Sequence, residues 1–277
     1  MKTARSTVEL RALLDVDRRA GRSIGFVPTM GALHEGHLSL VRAARATTDV
    51  VVLSIFVNPL QFGPSEDFAT YPREEARDLT LAEEAGVDIV FLPPIEEMYP
   101  EGRSTVVSVG ELGTLLEGAD RPGHFDGVAT VVAKLFNQVD PDRAFFGQKD
   151  AQQVAVIRTL VRDLAFDLEL SIEPTIRETD GLALSSRNAY ISPAERPRAT
   201  ALYRALLAGA ETLRDEDVDA AEKTMWELLM AEGLQPSYAK AVDPDTFESP
   251  TAGGPVLLVI AARLGSIRLI DNLLIES

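Results

Sequence analysis

Between residues 23 and 172 the chain repeats one pattern: a short apolar run, a turn marked by glycine or proline, then a stretch of helical period. Residues 23–27, 50–57, 88–92, 143–146 and 168–172 read as strands, and residues 38–46, 73–85, 125–139 and 149–164 as the helices among them. Ahead of the first run, Ser6-Thr7-Val8-Glu9 has the capping-box pattern and opens a further helix through Arg18, stopped at Gly21. Strands alternating with helices imply βαβ units, so the pattern predicts a doubly wound parallel sheet. The run at 50–57, almost wholly β-branched or apolar, suits a strand covered on both faces. Right-handed crossovers then place the functional loops at the carboxyl ends of the strands.

After about residue 175 the alternation stops. Residues 193–213 and 218–232 read as two helices, and 237–242, 256–262 and 267–274 as strands separated by Asp243-Pro244-Asp245 and Ala252-Gly253-Gly254-Pro255. This predicts a smaller α+β domain over residues 176–277, joined near 176–181 to a first domain over 1–175. A length of 277 residues accommodates both.

The chain has no cysteine, which removes disulfides, thiolate metal sites and thiol nucleophiles. Its 43 acidic against 27 basic side chains, net −16, argue against a surface built to bind nucleic acid or anionic membrane. The longest apolar run, 256–262, is far short of the roughly 20 residues that span a bilayer. The opening MKTARSTVELRALLDVDRR lacks the apolar centre of a signal peptide, so the expected location is the cytoplasm.

Four loops carry candidate chemistry. The first is Val27-Pro28-Thr29-Met30-Gly31-Ala32-Leu33-His34-Glu35-Gly36-His37. A helix starting near His37 would aim backbone N–H groups and its dipole at a phosphate, and Gly31 and Gly36 let a ligand approach the backbone. His34 and His37 project from one side of the turn if it is helical. The dipole supplies only about 0.3–1 kcal/mol, whereas one well-placed transition-state donor is worth about 2.7–4 kcal/mol, so the imidazoles would dominate. Two polar histidines beside a cap fit the same letters equally well. A metal site fits less well, since Glu35 faces elsewhere and no further histidine lies close in sequence.

The second loop, Phe145-Phe146-Gly147-Gln148-Lys149-Asp150-Ala151-Gln152-Gln153, again runs strand, turn, helix start. Lys149 would offer a mobile cation to a phosphate, with Gln153 on the same face; a solvated Lys149 and a capping Asp150 is the plainer alternative. The third, Thr179-Asp180-Gly181-Leu182-Ala183-Leu184-Ser185-Ser186-Arg187-Asn188, could bracket a polyphosphate with two hydroxyls and a guanidinium, or be an ordinary polar loop. The fourth, Phe56-Val57-Asn58-Pro59-Leu60-Gln61-Phe62-Gly63, offers two amides to a small polar substrate while Pro59 fixes the turn.

Taken together these loops resemble a known family. The histidine-x-glycine-histidine turn and the serine-rich basic loop look like the "HIGH" and "KMSKS" elements of the nucleotidylyltransferase superfamily. PTMGALHEGH, FVNPLQFGPSEDFATYPR, RPGHFDGV, FFGQKDAQQ and ETDGLALSSRNAY resemble the pantothenate synthetase (pantoate–β-alanine ligase) family, in register from about residue 26 to 192. The resemblance implies a Rossmann-like first domain and a C-terminal lid domain. It also implies an ATP-dependent condensation of pantoate with β-alanine through a pantoyl adenylate, with Mg²⁺ accompanying ATP, and a homodimer. It places ATP at Met30, Gly31, Ala32, Leu33, His34, Glu35, Gly36 and His37, and at Gly147, Gln148, Lys149 and Asp150. Ile176, Leu184, Ser185, Ser186 and Arg187 complete that site. His37, His34 and Lys149 take the catalytic roles, His37 in the position assigned as proton donor. Gln61 and Gln153 match substrate contacts, with Asn58, Arg121 and His124 nearby; no protein ligand for a metal is implied. One departure is Leu184, where the family commonly has methionine, which puts any role of the thioether in doubt. The rivals are another adenylating enzyme on the same nucleotide site, which would keep the AMP on its product if a transferase, and a nucleotide sensor without turnover.

Overall fold

The apolar runs pair in parallel. β1 (Lys2–Ala4), β2 (Ile24–Thr29), β3 (Val50–Ile55), β4 (Ile89–Phe91), β5 (Arg143–Gly147) and β6 (Glu169–Glu173) form a six-stranded sheet in the order β1–β4–β3–β2–β5–β6. The computed structural model describes residues 1–64, 66 and 68–275. The chain divides into two units, one of residues 1–114, 121–147 and 156–173, the other of 115–120, 148–155 and 174–277.

In the first unit the sheet is covered on both faces. Helices Glu35–Thr47 and Glu75–Glu84 lay Leu40, Val41, Ala44 and Ala82 against Val27, Val51, Leu53 and Val90. Strand side chains alternate in direction, so Phe26 points the other way. There Phe136, from helix His124–Val139, meets Phe26, Phe146 and Phe166 edge-on, with ring centroids 6.5, 6.3 and 5.4 Å away. Such edge-to-face pairs add about 0.5–1.5 kcal/mol beyond the area they bury. Helix Thr7–Arg19 begins in the capping box foreseen at Ser6 and Glu9, and Gln138 Nε2 donates to Thr7 Oγ1 at 2.9 Å. Gly21, at φ +69°, follows its end.

Strand order reverses at β2. β3 and β4 extend the sheet on one side and β5 and β6 on the other, with Gly25 opposite Arg143 and Phe26 opposite Ala144. The carboxyl ends of β2 and β5, at Thr29 and Gly147, therefore flank the crevice where open α/β sheets take their ligands.

The second unit contains a three-stranded antiparallel sheet, β7 (Gln235–Val242), β8 (Val256–Leu264) and β9 (Ile267–Ile275). Helices Ala201–Asp215 and Val218–Ala231 bury Leu202, Leu206, Met225 and Leu229 with Leu258, Ile260 and Leu264.

The structure differs from the sequence reading at one helix start, in one split helix and in one added strand. The helix expected over 193–213 is two, Arg196–Ala199 and Ala201–Asp215, meeting at Thr200, whose hydroxyl donates to the Pro197 carbonyl at 2.8 Å. The helix expected from residue 38 begins at Glu35, because His34 supplies a side-chain cap. β1 was not foreseen, being three residues long and too short to show a period.

Candidate active site

Thr29 closes β2 and sets the first turn. Its hydroxyl donates to the Ser54 carbonyl at 2.8 Å and accepts the Gly31 N–H at 3.1 Å. Gly31 and Ala32 then take φ of +82° and +50°. A side chain at position 31 would strike Asp78 Oδ2 and Ile55 Cγ2, each 2.9 Å from an ideal Cβ, so glycine is required by conformation and by space. Behind the turn, Asp78 is 1% exposed, and its two carboxylate oxygens accept the N–H groups of Ala32 and Leu33 at 2.8 Å each.

His34 is the N-cap of helix Glu35–Thr47. Its Nδ1 accepts the Gly36 N–H at 3.1 Å, and the His34 N–H is given to His37 Nδ1 at 3.4 Å. An imidazole that accepts at Nδ1 carries its proton at Nε2 when neutral, so both rings hold a donor at their outer nitrogen. The ring centroids lie 4.1 Å apart, tilted by 35°. Most backbone amides leading into the helix start are already engaged: Gly31, His34 and Gly36 donate within the turn, and Ala32 and Leu33 donate to Asp78. Glu35 is exposed and pairs with Arg42.

A second group in the same unit surrounds Gln61. Asn58, 1% exposed, caps the turn Pro59–Gln61 by accepting the Leu60 N–H at 3.2 Å, and takes the Tyr99 hydroxyl on the same oxygen at 2.7 Å. Its Nδ2 donates to Gln61 Oε1 and to the Gly127 carbonyl, both at 3.1 Å. With the Gln61 oxygen engaged, its Nε2 is turned toward Met30, 3.2 Å from the sulfur. Gln61 therefore presents a donor beside the histidine turn. Burial pushes the Tyr99 phenol well above its ordinary range, so it stays a donor.

His124 and Arg121 hold the turn from the other side. Arg121 Nη1 lies 3.1 Å from His124 Nε2, and His124 Nδ1 2.8 Å from the Gln61 carbonyl, which fixes the neutral ring with its proton on Nδ1. Arg121 also donates to both Glu66 carboxylate oxygens, at 2.7 and 2.8 Å. Burial works to raise the Glu66 pKa, but the hydrogen bonds and charge of Arg121 outweigh it and hold the carboxyl below its ordinary value. Ser65 and Asp67, in the same quoted stretch, lie outside the described residues.

In the second unit, Gln148–Asp150 forms a single 3₁₀ turn ahead of helix Ala151–Asp163. Lys149 Nζ lies 3.6 Å from Asp150 Oδ1. Of the two adjacent glutamines, Gln152 is buried and structural: it accepts the Glu117 N–H at 3.1 Å and donates to the Leu115 carbonyl at 2.9 Å. Gln153 is the more accessible one. Glu117 in turn meets Arg268 (2.6 Å) and the Tyr238 hydroxyl (3.3 Å), and Asp120 meets Arg268 at 2.7 Å.

Ile176 and Leu184 are brought together by the Leu184 N–H bonding the Ile176 carbonyl at 2.9 Å, next to a bridge between Arg177 and Ala183. That backbone role serves leucine and methionine alike. Ser185 caps the short turn Ser186–Tyr190 by accepting the Arg187 N–H at 3.3 Å, and Asn188 donates back to the Ala183 carbonyl at 3.0 Å.

Sequence reasoning missed Asp78, Glu66, Tyr99, Gly127, Asp271 and Asn272. Three of these left a trace. Asp78 stands on the buried stripe of its helix with Ala82, and Asp271-Asn272 interrupts the apolar run of β9.

The sequence matches the model of a family described as Pantoate-beta-alanine ligase over residues 2–274. A pantothenate synthetase of Caldicellulosiruptor bescii is 52% identical over 273 residues, covering 97% of each chain. The crystal structure of pantothenate synthetase from Thermus thermophilus matches with a TM-score of 0.92 and 51% identity over 99% of both chains. Pantoate-beta-alanine ligase from Francisella tularensis, complexed with beta-gamma ATP and beta-alanine, matches with a TM-score of 0.83 and 34% identity over 99% of this chain and 97% of that one.

Proposed function

The chain belongs to the pantoate–beta-alanine ligase family, and we propose from that premise how its residues divide the work. The activity is ATP-dependent condensation of pantoate with β-alanine to pantothenate, AMP and pyrophosphate. The pantoate carboxylate attacks the α-phosphorus of ATP and pyrophosphate leaves, giving pantoyl adenylate. The β-alanine amine then attacks the acyl carbon, and AMP leaves with the electron pair of the broken anhydride bond.

No protein nucleophile is needed, since the substrate supplies one. The enzyme has to bring two anions together: unit charges about 4 Å apart repel by roughly 4 kcal/mol at an effective dielectric near 20. Nε2–H donors on His34 and His37 suit the phosphate oxygens, with Lys149 and Arg187 assigned to the charge that develops on pyrophosphate. Gln61, whose amide nitrogen faces Met30 beside the histidine turn, suits pantoate and β-alanine, and Gln153 suits pantoate. Met30, Gly31, Ala32, Leu33, Gly36, Gly147, Gln148, Asp150, Ile176, Leu184, Ser185 and Ser186 frame the nucleotide.

Mg²⁺ fits as a companion of the triphosphate rather than a resident ion. Among the described residues no three His, Asp or Glu side chains converge to hold a metal, and this cation commonly keeps its waters and binds through substrate phosphates. The homodimer and the cytoplasmic location remain part of the proposal. Among the described residues no helix is long and apolar enough to cross a membrane; a sizing measurement at micromolar concentration tests the dimer.

The match along residues 2–274 carries the reading. ATP–pyrophosphate exchange in the presence of pantoate and Mg²⁺, without β-alanine, tests it. Exchange that requires pantoate supports the adenylate; no exchange, and no AMP when β-alanine is added, overturns it.

A further inference from the structure

β9 carries an aspartate and an asparagine side by side in an otherwise mostly apolar strand, IRLIDNLLI, and both are buried, at 3% and 4% exposure. Polar groups so placed cost free energy unless their atoms are paired, and their partners are two candidate ligand loops. Asn272 Nδ2 donates to the carbonyls of Gln148 and Lys149, at 2.9 Å each, while its Oδ1 faces Gln148 Nε2 at 3.4 Å. Both amide protons thus grip the backbone of the turn that bears Lys149.

Asp271 holds the other loop. Its carboxylate takes Arg177 Nη1 and Nη2 at 2.6 and 2.9 Å and the Asn272 N–H at 2.8 Å. Arg177 also donates to the carbonyls of Gly181 (3.1 Å) and Asn272 (3.3 Å), and its guanidinium lies 3.8 Å from the centroid of the Tyr203 ring. Arg177 bridges to Ala183, directly before Leu184, Ser185, Ser186 and Arg187. One dipeptide thereby fixes the Lys149 turn with one side chain and the base of the Ser185–Arg187 loop with the other.

Stability alone gives little reason for this arrangement, because well-packed apolar residues commonly replace a buried ionic group at no loss. We propose that Asp271 and Asn272 are a positioning dyad for the adenylation step, setting Lys149 and the Ser185–Arg187 loop in register with one another. The dyad touches no substrate and acts through the loops it holds. The inference rests on the ligase reading above.

Asn272→Ala tests it through three readouts: the rate of pantoate-dependent ATP–pyrophosphate exchange, the KM for β-alanine in the full reaction, and the same substitution placed in a Lys149→Ala background. Misplacement of a reacting group by about 1 Å can cost on the order of 100-fold, so exchange should fall about 10–100-fold in folded protein while the β-alanine KM stays unchanged. Once Lys149 is absent, the substitution should cost no more than about 2-fold further, the usual scatter for additive sites. A folded Asn272→Ala enzyme with wild-type exchange overturns the inference, as does a loss that persists undiminished in the Lys149→Ala background. If Asn272→Ala does not fold, Asn272→Ser, which keeps one donor, gives the same readouts. An unmodified enzyme without pantoate-dependent exchange would fail the ligase reading itself, an outcome distinct from an active enzyme indifferent to Asn272.

Discussion

Asp78 accepts the backbone N–H of Leu33 at 2.8 Å across 45 residues of sequence, and this bond, with its twin at Ala32, shapes the histidine turn. Asp78→Ala would leave two inward-facing amides without acceptors, each worth about 1–3 kcal/mol, for an expected loss of about 2–6 kcal/mol. Asp78→Asn keeps one acceptor and should lose less. Urea unfolding of the three proteins measures this; an Asp78→Ala midpoint equal to wild type would show that the turn does not depend on the carboxylate.

Gly127 permits the approach of the turn that carries Gln61. An ideal Cβ there would sit 2.3 Å from the Leu60 carbonyl oxygen and 2.7 Å from the Gln61 nitrogen. Gly127→Ala should therefore displace the turn, cost about 1–3 kcal/mol, and raise the KM for pantoate. Unchanged kinetics with unchanged stability would place Gln61 outside the substrate site.

His37→Ala and Lys149→Ala should each slow adenylation about 10²–10³-fold, the usual effect of removing a transition-state donor. His34 has a second duty as helix cap, so His34→Ala should also lose about 1 kcal/mol of stability. His34→Asn separates the two duties, because asparagine caps well: stability should return while adenylation stays slow. Single-turnover AMP formation and thermal unfolding together read both effects.

Glu66 gives a pH dependence with a defined sign. Its carboxyl is held below the ordinary value of about 4.3 in the folded protein. The unfolded chain therefore binds the proton first as pH falls, and the pair's stabilisation, intact above the ordinary carboxylate range, is lost on descent through the lowered value. Urea midpoints between about pH 5 and pH 3 should fall more steeply for wild type than for Glu66→Gln. Parallel profiles would mean that Arg121 contributes nothing to the acid limb.

What could be read in advance depended on whether the signal was local. Buried parallel strands announce themselves as apolar runs, and the i, i+3 spacing of His34 and His37 already puts both rings at one helix start. That the amides of Ala32 and Leu33 are engaged is not legible locally, because their acceptor, Asp78, lies a helix away and no spacing rule connects residue 78 to residues 32 and 33. The same holds for Gln152 and Gln153, adjacent letters with opposite fates: only the position of Glu117 and Leu115 decides which one is structural. Asn58 looked like a substrate contact, yet its donors and its oxygen are all engaged by Gln61, Gly127, Leu60 and Tyr99. Its best-supported work is to aim Gln61.

The short segment Leu115–Asp120 belongs to the unit whose last strand is β9, and this separation in sequence becomes a delay in time. Glu117 and its partner Arg268 are 151 residues apart. At synthesis rates of about 5–20 residues per second, Glu117 waits roughly 8–30 s for that guanidinium to be made. The six-stranded sheet is complete in sequence once β6 has been translated, whereas the second unit cannot close until almost the entire chain has left the ribosome. Loss of the final strand through early termination would thus spare the first sheet while stranding Glu117, Asp120 and the Lys149 turn without the groups that hold them.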